Sequence, residues 1–596
     1  MKNTETGFTL VFEILTYQRS KFPQQKALNI FINGSWRSYS IDEIQSRADA
    51  ISAWFIGSGF NSGDKIAIVP DLGRPEWIIL DFACQQAGLV VVPLHVSASL
   101  DEITLILNET GARLCITANE GLYYKILPLC EKLEGLVVQH IEPQKKGYFE
   151  PLKLIKPDPG QLEALKEAKS RINEEDLFTI MYTSGTSGIP KGVMLTHANM
   201  VSNLQNTIAV FPLDHSKRVL SFLPFSHIFE RSVCYAYIAC GVEVYFSHDR
   251  ESIAYDFKSV RPYFCTAVPR ILEKMYAFLQ EEQMGKNWFK RQLVTRAMKV
   301  ARAYRGGHKL RQKLAFDLFL ARIMVLYPWR RLLGGKLQCI VVGAAALQPE
   351  IGRFFSAAKI RIREGYGMTE TSPIISINRF EPGLNRFGTV GIPVPGVMVK
   401  IDATAGSEEG EILVKGHNVM KGYYRKPRLT QQILTPDGWL RTGDIGKFVE
   451  GKFLQITDRK KDIFKTSAGK YIAPLPLTNL FTSSPFIEQC LIIGFKRPFV
   501  TALLVPQFSI LKKWCEANAI HWTAPQYMVH NIKVRNIINR EVVRLNEELP
   551  NYERVKNFVL CHEEWTSEKG EITATLKPVR QALLENYRKE IEKMYK

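Results

Sequence analysis

The chain predicts an α/β fold: parallel sheets with helices between their strands, then a β-rich segment, then a small mixed C-terminal part. Three observations carry this. Short β-branched runs alternate with amphipathic helical stretches from about residue 40 onward. From about 385 to 457 the runs lie between glycines, as in "GVMVKID", "GEILVKG" and "GKFLQITD". After 461 a smaller segment ends in the charged helical stretch "RQALLENYRKEIEKMYK".

In chain order, "KIAIVP", "VVVPL", "LCIT", "FTIMYTS", "RVLSFLP", "VEVYFS", "YFCTAVP" and "CIVVGAA" have the length and branching of buried strands. "SIDEIQSRADAISAWFIGSG" and "ILEKMYAFLQEEQ" carry the helical spacing of apolar residues. Residues 143–175, rich in Lys, Glu and Pro, read as a surface connection. No internal repeat or low-complexity tract interrupts the pattern.

The 596 residues, 46% of them hydrophobic, suffice for several domains and a large core. Lys and Arg number 78 against 59 Asp and Glu, a net charge of +19. That balance favours anionic partners such as nucleotides, acidic ligands or membrane surfaces, or else a solvated basic face. The ten cysteines are scattered without a C-x-x-C pair, which argues against a disulfide frame or zinc site and for a reducing, cytoplasmic setting. The N-terminal stretch lacks the apolar run and cleavage site of a signal peptide. Runs such as "LVVVPLHV" are too short to span a bilayer, so any membrane association is expected to be peripheral, on the inner face.

The stretch "MYTSGTSGIPKGVMLTHANM" (181–200) concentrates glycines, hydroxyls and a lysine. Glycine lets backbone N–H groups approach a ligand, and Ser and Thr add donors for phosphate oxygens. It does not fit G-x-x-x-x-G-K-[ST]: position 190 is Pro190, and Lys191 is followed by Gly192. It is a candidate phosphate loop of another kind. Thr196 reads as the N-cap of the helix that follows.

"YTSGTSGIPKG" (182–192), "YGMTETSP" (366–373), "GWLRTGD" (438–444), "DRKKDIFKTSAGKYIAP" (458–474) and "GEITATLK" (570–577) occur in this order. Together they resemble the adenylate-forming superfamily of acyl-CoA synthetases, luciferases and peptide-synthetase adenylation domains. "LPFSHIFERS", "AVPRILEKMY", "LQCIVVGAAAL" and "RPFVTALLVP" bring the resemblance nearest to long-chain fatty acyl-CoA synthetases. It implies a large N-terminal ATP- and acyl-binding domain over 1–457, a hinge at 458–461 and a mobile C-terminal domain over 462–596. The implied reaction joins a fatty acid to CoA at the expense of ATP, with Mg²⁺, giving acyl-CoA, AMP and pyrophosphate.

The resemblance also implies roles. Thr183, Ser184, Gly185, Thr186, Ser187 and Gly188 would wrap the β- and γ-phosphates, with Lys191 also on the nucleotide. Tyr366 would stack on adenine, Thr369 bond the α-phosphate, and Glu370 join Thr183 around Mg²⁺. Asp444 would bind the ribose diol, with Arg459 its basic partner. Gly343, Ala344 and Ala345 would form the loop where adenine and acyl group meet, with Gly367 and His227 also facing substrate. Lys577 would bridge carboxylate and α-phosphate in the adenylation transition state. Pro578 biases it away from helical backbone, as an extended loop tip requires. Lys461 is the expected hinge. Ala468 and Gly469 lie at the expected CoA tunnel, where long-chain enzymes carry two glycines; the family glutamate after "IAP" is missing, with Thr478 near its place.

"LPFSHIFE" offers no aspartate to pair a substrate amine, which favours a plain carboxylic acid over an amino acid. Residues 286–336 hold fourteen Lys and Arg against the single acid Asp317, interleaved with aromatics. That suits an anionic membrane surface or a solvated insert; no RNA-binding motif accompanies it, so nucleic acid is not expected. Two rival functions stay open: an acyl-AMP ligase that delivers to a carrier protein, and an idle acyl-binding relative.

Overall fold

A computed structural model describes residues 7–184, 190–249, 251–284, 288–304, 312–467, 469–566, 569–572 and 578–596. All eight of the predicted strand runs are strands. They divide between two sheets whose centres are parallel. One has nine strands, with Arg361–Gly367, Cys339–Val342, Phe264–Ala267, Arg218–Ser221, Glu243–Phe246 and Leu28–Ile32 consecutive and parallel. The other has seven, in which Leu177–Ser184, Val90–Pro93, Lys65–Val69, Leu114–Thr117 and Val137–His140 run parallel. Their apolar runs are buried on both faces, as sheets covered by helices require. The glycine-punctuated segment forms a four-stranded antiparallel sheet, Met398–Ala403, Gly410–Lys415, Leu440–Val449 and Phe453–Arg459. A separate three-stranded sheet, Ile487–Ile493, Val500–Pro506 and Val555–Leu560, carries its own core with Phe464, Leu477 and Phe481.

Capping decides several helix starts. Ser40 accepts from the Glu43 amide to start Ile41–Gly57, and Thr196 and Asn199 form a reciprocal capping box at His197–Ile208. The expected surface connection at 143–175 contains a helix, Pro159–Ser170, opened by the capping box of Asp158 and Gln161 with proline in its first turn. Lys169 ties it to Asp49 of the helix Ile41–Gly57 at 2.8 Å. The C-terminal helical stretch divides at Tyr587 into Arg580–Asn586 and Arg588–Met594.

The basic region is a helical crossover between the parallel strands Phe264–Ala267 and Cys339–Val342. The crossover comprises Pro269–Met284 and then, within 286–336, Trp288–Arg302, Gln312–Ala321, a π-turn at Arg322–Leu326 and Tyr327–Leu332. Val294, Ala297, Met298, Leu318, Val325 and Trp329 bury against Phe354 and Phe355. Among the described residues, no helix is long and apolar enough to cross a membrane.

Candidate active site

The parallel strands end at one cleft. Thr183 is next to last in the strand Leu177–Ser184, Gly343 follows Cys339–Val342, and Gly367 ends Arg361–Gly367. Carboxyl ends of parallel strands are where such sheets bind ligands. The cleft holds about 2480 Å³ and is shared by Thr183, Lys191, His227, Ala344 and Ala345. Tyr366, Gly367, Thr369, Glu370, Asp444, Arg459 and Lys461 complete that set of predicted residues. Gly185, Thr186, Ser187, Gly188, Ala468 and Lys577 lie outside the described residues. The neighbours of Lys577 do line the cleft: Ile572 and Pro578 face each other across an antiparallel bridge there. Gly469 sits apart from it, in the turn between Phe464–Lys465 and Tyr471–Ile472 at φ +80°.

The candidate phosphate loop springs from an antiparallel pair, with Thr183 opposite Lys191 and Ser184 opposite Pro190. A polar clamp holds both ends of that pair. Glu109, at the end of the helix Leu100–Thr110, accepts from the Tyr182 hydroxyl at 2.6 Å and from the Lys426 ammonium at 2.9 Å. Lys426 also donates to the Pro190 carbonyl at 3.1 Å. Lys191 points its ammonium toward the Tyr423 ring, 5.4 Å from its centre. Burial lowers its pKa, and the positive charge of Lys461 adds to this while Glu370 opposes it.

Glu370 lies in the short turn Thr369–Thr371 and is buried. Tyr423 donates to its Oε1 at 2.8 Å. Burial raises the carboxyl pKa; the Tyr423 hydrogen bond and Lys191 pull it back. Just before it the chain doubles back, with the Met368 amide on the Pro373 carbonyl at 3.1 Å. A Cβ on Gly367 would overlap that carbonyl, so glycine is required.

Also in the cleft, Asp444 faces Arg459 across neighbouring strands. The Arg459 Nε stands 3.5 Å from Asp444 Oδ1, and the buried Tyr366 donates its phenol to Oδ2 at 2.6 Å. Burial, then the Asp444 charge, pushes the Tyr366 phenol well above its ordinary pKa, so it remains a donor. Ala344 adopts φ +70°, uncommon for a residue with a side chain, and Gly343 packs against the Phe229 ring. Small residues keep this turn open to the cleft.

His227 caps the helix Ile228–Ala239, its Nδ1 accepting from the Phe229 amide at 3.2 Å, while its ring also lines the cleft. A second cavity of about 50 Å³ lies behind it, walled by Phe229, Val341, Ile374 and Ile377. Among the described residues, two carboxyls nearby have no basic side chain paired with them. Glu364 lines the cleft and is pushed up to about 8 by burial. Glu230 accepts from the Ser221 and Thr266 hydroxyls and is pushed up to about 7.

Packed against the strand Leu177–Ser184, Arg231 is fully buried and bidentate to Asp81, at 2.5 and 3.0 Å. A further contact, 2.7 Å to the Thr179 hydroxyl, reaches the strand that carries Thr183. Sequence reasoning did not single out Glu109, Lys426, Tyr423 or Arg231. The cluster "KGYYRKP" (421–427) offered a signal for the middle two; a helix glutamate such as Glu109 offers none.

Among the described residues no three His, Cys, Asp or Glu side chains gather as a metal cage. Thr183 and Glu370 on one cleft suit a Mg²⁺ that takes its other ligands from phosphates and water.

The pattern of the AMP-binding enzyme family matches residues 15–424, and that of the AMP-binding enzyme C-terminal domain matches 461–596. The chain belongs to the AMP-binding enzyme family. It is similar to the long-chain-fatty-acid–CoA ligase FadD15 of Mycobacterium bovis, at 30% identity over 95% of this chain and 93% of that one. Long-chain-fatty-acid–CoA ligase 6 of Mus musculus is 32% identical over 94% of this chain and 82% of its own. The AMP-binding fold is shared with the adenylation domain of a carboxylate reductase from Mycobacterium chelonae, with TM-score 0.75 and 21% identity over 99% of this chain and 92% of that one. At that identity the likeness speaks for the fold alone.

Proposed function

We propose that this AMP-binding enzyme activates a long-chain fatty acid with ATP and transfers it to CoA. The observation that carries the reading is the shared cleft, which Thr183, Lys191, Tyr366, Thr369, Glu370, Asp444 and Arg459 line together. In the first step a carboxylate oxygen attacks the α-phosphorus, the bond to the β-phosphate oxygen breaks, and pyrophosphate leaves. In the second the CoA thiolate attacks the acyl carbonyl and AMP leaves with the bonding pair.

Thr183 to Gly188 hold the outer phosphates, with Lys191 beside them, and Thr369 donates to the α-phosphate. Asp444 takes the ribose, one of its oxygens already fixed by Tyr366. Thr183 and Glu370 would hold Mg²⁺, which when bound neutralises phosphate charge. Lys461 serves as the hinge between 1–457 and 462–596, and its turning brings the segment of Ala468 and Gly469 to the thiol path. The long-chain acid is supported by the relatives' names.

Ala468 and Thr478 favour one second reading, transfer to a carrier-protein thiol. Pyrophosphate release from acid and ATP alone, then thioester formation on adding CoA, is the expected result. Thioester formed only with a carrier protein would select the second reading, and no pyrophosphate release would overturn both. Each buried methylene contributes ~0.8 kcal/mol, so kcat/KM should rise steeply with chain length. A best substrate among acetate or aromatic acids would remove the long-chain assignment.

Glu370→Gln is expected to raise the Mg²⁺ concentration needed for half-maximal pyrophosphate release, because it removes a charged ligand while keeping the Tyr423 hydrogen bond's acceptor. A Mg²⁺ titration identical to that of the unaltered enzyme would take Glu370 away from the metal.

A further inference from the structure

Among the described residues, one deeply buried arginine keeps part of its guanidinium unbonded. Arg363, in the strand Arg361–Gly367, is 8% exposed. Its Nη1 donates to the carbonyl of Ile362, the residue before it, at 2.8 Å, while its Nε is buried with no partner. The other arginines buried as deeply are held differently: Arg231 by Asp81, and Arg379 by the Pro393 carbonyl at 2.9 Å. An unbonded buried N–H is costly, and on a charged group more so.

A second guanidinium stands beside it. Positions 361 and 363 share one face of the strand, and both guanidiniums lie over the Phe380 ring, 5.2 and 5.1 Å from its centre. Arg361 donates to the Tyr263 hydroxyl at 3.4 Å and meets the Cys339 sulfur at 3.1 Å. Among the described residues neither arginine has an ion pair with an acid. Burial, then the Arg361 charge, lowers the Arg363 pKa to about 10, against the opposing influence of Cys339, Tyr304 and Glu381. Arg361, Tyr263 and Phe380 are half-buried and Glu381 is exposed, so solvent reaches the two cations. None of these residues lines the cleft.

We infer that Arg361 and Arg363 bind a phosphate group at a site separate from the nucleotide cleft. Guanidinium forks match phosphate oxygens, and hydrogen bonds between two charged groups are the strong kind. A phosphate between the two cations takes the free Nε, cancels their repulsion and has the Tyr263 hydroxyl within reach as a further donor. Two adjacent positive charges favour a dianion over a singly charged carboxylate. The Phe380 ring already carries two guanidiniums, so it offers no stacking face to a base. The ligand is therefore inorganic phosphate or the phosphate of a small ester, and not a nucleotide read through its base.

The test is calorimetric titration of the whole chain with sodium phosphate, glycerol 3-phosphate and acetate. A phosphate-binding step is expected, with acetate much weaker. Glycerol 3-phosphate binding more tightly than phosphate would make an ester the source, and its exclusion would make it free phosphate. Losing one charge-assisted hydrogen bond weakens binding roughly 10- to 100-fold, so Arg361→Gln and Arg363→Met should each do so. Lys191→Gln, a change in the cleft, should leave the step intact. Arg363→Met also separates binding from folding. Replacing a buried charge that lacks a counter-charge should leave the melting temperature without phosphate unchanged or higher, while erasing the rise that phosphate produces. A marked fall in melting temperature without phosphate would make Arg363 a structural residue and overturn the inference. So would the absence of phosphate binding, binding that neither arginine variant weakens, acetate bound as tightly as phosphate, or loss of the step in Lys191→Gln alone.

Discussion

Lys577→Ala is expected to abolish formation of the acyl-adenylate while sparing thioester formation from supplied acyl-adenylate. The attacking carboxylate and the α-phosphate both carry negative charge, and the pentavalent transition state concentrates it. A lysine between them stabilises that state more than the separated reactants. Removing one such charge stabiliser costs ~3–4 kcal/mol, or ~10²–10³ in rate. Lys577 stands in "GEITATLK", and the described residues on either side of its segment, Ile572 and Pro578, line the same cleft as Thr369 and Glu370. Single-turnover pyrophosphate release reads the first half-reaction; AMP release from acyl-adenylate and CoA reads the second. Equal loss in both would mean that Lys577 acts on the whole site, or on folding, and not on adenylation.

The sequence exposed those parts of the site that are built from neighbours in the chain. Thr183 and Lys191 face each other because a single loop joins their strands, and that loop announces itself by composition. The strands were legible because a central parallel strand needs an uninterrupted run of branched apolar residues. The helix Pro159–Ser170 was not, because it buries only Leu165 and so shows no apolar period. Contacts across the fold were hidden for a different reason. Glu109 meets Tyr182 over 73 positions and Lys426 over 317, and each residue alone is an ordinary surface type. His227 shows both sides: its motif marked it as a cleft residue, yet its capping bond to Phe229 appears only once the helix start is seen.

Arg231 belongs to that hidden class, and its removal is expected to be the most destabilising single change in the N-terminal part. Its guanidinium lies with no exposed surface, bidentate to Asp81, and Tyr235 donates to the same carboxylate. The neighbouring charge of Asp81 offsets the burial that would otherwise discharge it. Arg231→Met keeps the volume but leaves the Asp81 carboxylate buried without its cation, which costs about 3–5 kcal/mol. The double variant Arg231→Met with Asp81→Leu removes both charges, so it should regain much of that loss. Function should follow stability only in part. Thr179 gives its hydroxyl to the Val91 carbonyl as well as accepting from Arg231, so the strand survives while the seat of Thr183, four residues on, loosens. The double variant should therefore melt near the unaltered enzyme yet release pyrophosphate more slowly at equal ATP occupancy. Urea midpoints and single-turnover rates on the two variants give the answer. An Arg231→Met midpoint matching that of the unaltered chain would show that the pair does not hold the strand.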